Sequence, residues 1–350
     1  MRWVRASPLV RLAFLAAVLV CCGYSLAAQW PGVRAALDQM HWYLVVGSVL
    51  AAMAGAGAMM LAWRALLADL GSPLPVATTA RITFVGQLGK YVPGAIWSFA
   101  AHVELGHYHG VPRRRGAASV VTALAVTVAV GLAIAAFGLP LAATGSGPGA
   151  GAARHYQWAV AALPVILVCL CPPVLGRLTD RGLRVIRLPP LGRRPTWRGL
   201  AVAAGWTGVG WLLLGLQVWL PLAALTGRGA SVLLLAVGGY ALACSVALVL
   251  VVFPNGIGPR EVILIAALAP VLDRPAALAL ALLVRAATTI ADLAWGAIGL
   301  TVARPARPAR TAEPVSGAQP ARPALPVRTV SATERTPARP LLEADAQGTS

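Results

Sequence analysis

Long apolar runs, each closed by arginine, tryptophan or glycine, set the pattern of this chain. Seven of them, Leu12 to Ala28, Trp42 to Trp63, Ala117 to Leu141, Tyr156 to Val174, Leu200 to Leu225, Ser231 to Phe253 and Ala276 to Val302, approach or exceed the ~20 residues that a helix needs to cross a bilayer core. Two shorter segments, Thr78 to Gly89 and Ile96 to Tyr108, fall well below that length. They are joined by Gly89-Lys90-Tyr91-Val92-Pro93-Gly94, where proline removes a backbone donor and glycine weakens the helix. Arg64 before them and Arg113 to Arg115 after them mark one side of the membrane, so the pair is predicted to form a re-entrant or interfacial hairpin. A second interruption, Phe253-Pro254-Asn255-Gly256-Ile257-Gly258-Pro259-Arg260-Glu261, precedes a short helix that ends before Pro270. The pattern predicts an all-α, polytopic helical membrane protein of about 7–8 membrane segments, some interrupted or re-entrant. Each half carries a pair of spans followed by an interrupted segment, which points to a two-half repeat of the kind that places a transport site at its breaks.

Composition strengthens the membrane assignment. Of 350 residues 58% are hydrophobic and 11% charged, against about 25% charged in soluble domains. The net charge of +18 comes from 29 basic and 11 acidic residues, the bases being arginines between apolar runs except for one lysine, Lys90. That distribution reads as cytoplasmic loops obeying the positive-inside rule and excludes nucleic-acid binding as the reason for the charge. Arg177, Arg181, Arg184, Arg187, Arg193, Arg194 and Arg198 form the strongest such loop, with a capacity to meet anionic lipid headgroups. A multi-pass protein of the cell membrane with both termini cytoplasmic follows, its first apolar run an uncleaved helix. Residues 1–302 form the membrane domain, and 303–350, rich in proline, alanine and arginine, a disordered cytoplasmic tail. Cys21, Cys22, Cys169, Cys171 and Cys244 lie in apolar runs and read as packing residues.

Charge inside spans is costly, about 2.5 to 3.5 kcal/mol per group on insertion scales, and marks function by default. The candidates are Lys90, Glu104, Arg260, Glu261, Arg285 and Asp292. Arg285 and Asp292, seven apart, share a helix face two turns apart, whereas the adjacent Arg260 and Glu261 point in different directions and need separate partners. One reading has these groups pairing to hold broken helices together. The other has Lys90 and Arg260 attracting a lipid phosphate, helix amino termini at Pro93-Gly94 and Pro259 adding backbone donors, and Glu104 and Glu261 orienting the bases or meeting a cationic headgroup. His102, His107 and His109 lack the spacing of a metal site, and Ser98 and Ser245 lack a base and an orienting acid. With no nucleotide-binding signature, no enzymatic activity, cofactor or metal is expected.

Gln87 with Lys90-Tyr91-Val92-Pro93-Gly94, the later Pro254 to Glu261 and Arg285 together resemble the lysylphosphatidylglycerol synthase transmembrane, or flippase-like, family over roughly residues 10 to 302. Asn255 and Pro259 depart from that pattern, standing where glycine and a small aliphatic residue are expected. The resemblance extends to the membrane half of the bacterial multiple peptide resistance factor, which moves aminoacylated phosphatidylglycerol between leaflets while a separate soluble domain makes it. It implies a flippase- or scramblase-like protein without the synthase activity. Gln87, Lys90, Tyr91, Pro93, Gly94, Glu104, Gly256, Gly258, Arg260, Glu261, Arg285 and Asp292 would bind the headgroup of an anionic phospholipid, an aminoacyl lipid or a polyprenyl phosphate. The alternative is a membrane anchor or regulator of a cell-envelope glycosyltransferase or lipid synthase.

Overall fold

Every described element is helical in the computed structural model, which describes residues 31, 34–35, 38, 41–91, 96–143, 171–185, 194–249 and 258–302. Helix α1 runs Trp42–Asp69, α2 Val76–Leu88 and, after a 3-10 turn Gly89–Tyr91, α3 Ile96–Tyr108. Then come α4 Arg113–Ala143, α5 Pro172–Val185, α6 Trp197–Thr226, a 3-10 turn Gly229–Val232 and α7 Leu233–Val249. The short α8 Pro259–Leu268 and the long α9 Arg274–Val302 complete the set. Among the described residues five helices, α1, α4, α6, α9 and α7 with its leading turn, are long and apolar enough to cross a membrane.

Lipid tails are as apolar as leucine, so these helices associate through close backbone approach and interhelical hydrogen bonds. Helix α1 packs along α6, where a Cβ on Gly55 would sit 3.2 Å from the Gly210 carbonyl oxygen. Ser48 Oγ donates to the Gln217 carbonyl of α6 at 3.0 Å, and Trp211 Nε1 of α6 donates to the Thr127 carbonyl of α4 at 3.1 Å. Helix α7 fills the space between α4, α6 and α8, and its Tyr240 joins Trp211, Leu222, Leu268 and Leu280 in the largest buried cluster. At one end of α6, Thr196 caps the helix by accepting from Gly199 N–H, and Asp69 at the end of α1 accepts from both the Thr196 amide and hydroxyl at 2.7 Å.

The two expected short helices are present and pack on each other, the first beginning at Val76 rather than Thr78. Gly86 on α2 makes room for His102 of α3, which stands edge-on to Trp63 at 5.6 Å. Helix α1 continues past the expected end at Trp63 because Arg64 satisfies itself on the Leu74 carbonyl at 2.9 Å, without leaving the helix.

The arginine-rich segment expected between spans contains a helix: residues 172–185 form α5, entered at Pro172, a position where proline's missing N–H costs nothing. Leu175 and Thr179 are buried on one face, Thr179 hydroxyl against Thr122 hydroxyl of α4 at 3.1 Å, while Arg177, Arg181 and Arg184 are exposed on the other. The expected first span at 12–28, the span from 156, the Pro254 break and the tail from 303 lie outside the described residues.

Candidate functional site

The turn carrying Lys90 is held in place by the way α2 seats on α9. Phe84 stacks on Trp295 with ring centroids 4.3 Å apart and planes 6° from parallel, and Trp295 Nε1 donates to the Met53 carbonyl of α1 at 2.9 Å. One residue further, Gly296 lets Leu88 come so close that a Cβ there would be 2.9 Å from its Cδ1. The chain beyond Leu88 is thereby delivered to the middle of α9, and Lys90 Nζ lies 2.5 Å from Asp292 Oδ2. Asp292 stands ten residues before Val302 and eighteen after Arg274, so ~15 Å of α9 lies beyond it on the shorter side. The side chain of Asp292 is 6% exposed and that of Lys90 25%.

Helix α8 supplies the second pair. Gly258 adopts φ +96°, a left-handed value that a side chain would strain, and Pro259 opens the helix after it. Glu261 folds back so that Oε2 accepts the Gly258 N–H at 2.9 Å, while Oε1 receives Arg285 Nη1 of α9 at 2.8 Å. One carboxylate therefore both caps α8 and fixes it to α9.

Arg260 points elsewhere, as adjacent helical positions must. Its guanidinium lies over the Tyr240 ring, 4.8 Å from the centroid, and Nη2 donates to the Tyr240 hydroxyl and, at 3.4 Å, to Thr288 Oγ1. Thr288 is also held by Gln217 Nε2 of α6 at 2.9 Å, and Gln217 is fully buried with its Oε1 unpartnered among the described residues.

These groups form one electrostatic cluster. Lys90 reaches Asp292, Glu261 reaches Arg285 and Arg260 reaches Thr288, each on α9. Lys90 from the first interruption and Arg260 and Glu261 from the second thus converge on Arg285, Thr288 and Asp292, which lie on one face of α9.

The family model of the lysylphosphatidylglycerol synthase transmembrane region matches residues 9–296. The chain belongs to this family. The matched stretch of this lysylphosphatidylglycerol synthase transmembrane region contains every residue of the cluster, and the protein is a multi-pass membrane protein. No curated protein matches it in sequence.

Of the other predicted site residues of this family member, Glu104 is placed apart from the cluster. Glu104 sits on the outward part of α3, 47% exposed, and receives Arg113 Nε at 3.1 Å and Nη2 at 2.8 Å. Those hydrogen bonds hold its carboxyl below the usual range. Gln87 is half-buried in the last turn of α2, and Tyr91 closes the 3-10 turn. Pro93, Gly94 and Gly256 lie outside the described residues. His102 and His109 each bond a carbonyl one turn back, of Ser98 at 2.8 Å and of Leu105 at 2.9 Å. Sequence reasoning missed Tyr240, Thr288 and Gln217. For Gln217 the signal was available, because a lone amide in the apolar run from Leu200 to Leu225 needs a partner from another helix.

Proposed function

We propose that the Lys90–Asp292, Arg285–Glu261 and Arg260–Tyr240 cluster is the headgroup site of an anionic membrane lipid, and that the protein lets this lipid pass between leaflets without covalent chemistry. The observation that supports the reading is convergence: both interrupted segments bring a cation to one face of α9, a helix long and apolar enough to cross a membrane. Structural ion pairs alone would leave no cation to spare, whereas Arg260 makes its hydrogen bonds to neutral hydroxyls. Family membership in a lysylphosphatidylglycerol synthase transmembrane region supports a lipid as the partner. The cell membrane as location, with both termini cytoplasmic, belongs to the same reading and rests on the placement of the arginines.

The experiment is lipid translocation in proteoliposomes, read by quenching of headgroup-labelled phospholipid with a membrane-impermeant reagent. The wild type should equilibrate label between leaflets, and Lys90→Ala with Arg260→Ala should slow it by at least about tenfold, the equivalent of one lost charge-assisted contact. Because losing Lys90 strands the buried Asp292 carboxylate, Arg260→Gln alone is run beside the double variant, and helicity and monodispersity in detergent separate lost translocation from lost fold. Translocation unchanged by the pair of substitutions removes the proposed site.

A further inference from the structure

We infer that the cluster selects a lipid with a singly charged phosphodiester headgroup, in preference to a phosphomonoester or to a headgroup that also carries an ammonium. The inference rests on the headgroup reading above and narrows it by charge. Three cations, Lys90, Arg260 and Arg285, face two carboxylates, Glu261 and Asp292, leaving one net positive charge. The two interruptions beside them, 92–95 and 250–257, contain no ionisable residue and so do not alter the count. Arg81, further along the α2–α9 contact, meets Gly299 through its Cα, seven residues beyond Asp292 and therefore two turns away along α9.

The surplus charge has a location. Both carboxylates are committed, Asp292 to Lys90 at 2.5 Å and Glu261 to Arg285 at 2.8 Å, whereas the partners of Arg260 are the hydroxyls of Tyr240 and Thr288 and the Tyr240 ring. A hydroxyl and a ring face hold a guanidinium in place without neutralising it. Arg260 is thus positioned as the group an anion meets, with Tyr240 and Thr288 as its positioning residues.

A phosphodiester brings one negative charge and closes the balance. A phosphomonoester, whose second ionisation lies near pH 6, brings close to two and leaves an excess negative charge where water is scarce. A headgroup with an added ammonium meets carboxylates that already hold cations and a net charge of its own sign. Electrostatic complementarity of this kind is expressed as discrimination between ligands more than as raw affinity.

The test uses the full chain in nanodiscs of phosphatidylcholine, with four dioleoyl probes titrated at pH about 8, where the monoester is doubly charged. They are phosphatidylglycerol, phosphatidic acid, lysylphosphatidylglycerol and additional phosphatidylcholine, and bound lipid is counted by native mass spectrometry. Phosphatidylglycerol should bind at least about tenfold more tightly than each of the others, Arg260→Gln should abolish that preference, and Arg260→Lys, which keeps the charge, should retain it in part. Phosphatidic acid or lysylphosphatidylglycerol binding as tightly as phosphatidylglycerol, in a manner that Arg260→Gln weakens, overturns the selectivity and leaves the headgroup site standing. Binding of all four that ignores Arg260→Gln overturns both.

Discussion

Asp292→Ala is expected to destabilise the protein by about 3–5 kcal/mol, the cost of leaving a buried charge without its partner. The Asp292 side chain is 6% exposed, and the Lys90 ammonium beside it would be left among the cations of Arg260 and Arg285. Lys90→Met should be comparably harmful, because it strands the carboxylate. The combination Lys90→Met with Asp292→Leu should recover most of the loss, since replacing a whole buried pair by apolar groups of similar size is often close to neutral. Denaturant or thermal unfolding of wild type, Lys90→Met, Asp292→Leu and their combination in one detergent gives the coupling energy directly. A cost below about 1 kcal/mol for Asp292→Ala would show the pair to be solvated and the hairpin turn to lie outside the apolar region.

Glu261→Ala should cost about 2–4 kcal/mol for two separable reasons. It removes the acceptor for the Gly258 N–H, which caps α8, and it leaves the Arg285 guanidinium without its carboxylate. Both members of that pair are about one-fifth exposed, so water relieves part of the cost and the loss falls short of that at Asp292. Glu261→Gln separates the two terms: its amide oxygen still accepts the Gly258 N–H while the charge is gone. Unfolding should therefore rank wild type, Gln and Ala in decreasing stability, and equal losses for the two substitutions would mean that the cap contributes nothing.

Much of the fold was legible because a bilayer admits few solutions. An apolar run of more than ~20 residues has to satisfy its backbone within itself, so α4, α6 and α9 follow from the sequence to within a few residues at each end, and α1 does so apart from its extension to Asp69. The paired short helices α2 and α3 also follow, since neither is long enough to cross alone. Helix α5 was hidden by its own charge. Arg177, Arg181 and Arg184 recur every three to four residues with Leu175 and Thr179 buried behind them, a helical spacing overshadowed by the arginines' weight as a topological marker.

The candidate site divides along a similar line. That Arg285 and Asp292 share a face, and that Arg260 and Glu261 diverge, follows from helical geometry alone and is what the structure shows. Which helix opposes that face does not follow, so the Lys90–Asp292 and Arg285–Glu261 pairings emerge only from the packing of α2 and α8 on α9. Glu104 was grouped with Lys90 as a charge inside an apolar segment. Eight residues of α3 beyond Ile96 carry it ~12 Å along the helix, where Arg113 at the start of α4 takes it. Tyr240 was passed over because a tyrosine in an apolar run usually buries its ring for packing. Here the hydroxyl and the ring face both serve Arg260.

The central claim is that the two interrupted segments share a lipid headgroup between them, and photolabelling tests it most directly. A phosphatidylglycerol bearing a diazirine on its headgroup glycerol, irradiated in proteoliposomes, should label the peptides around Lys90, Arg260 and Thr288, with labelling suppressed by excess unlabelled lipid and by Arg260→Gln. Labelling confined to the outward faces of the long helices, or indifferent to Arg260→Gln, would contradict it.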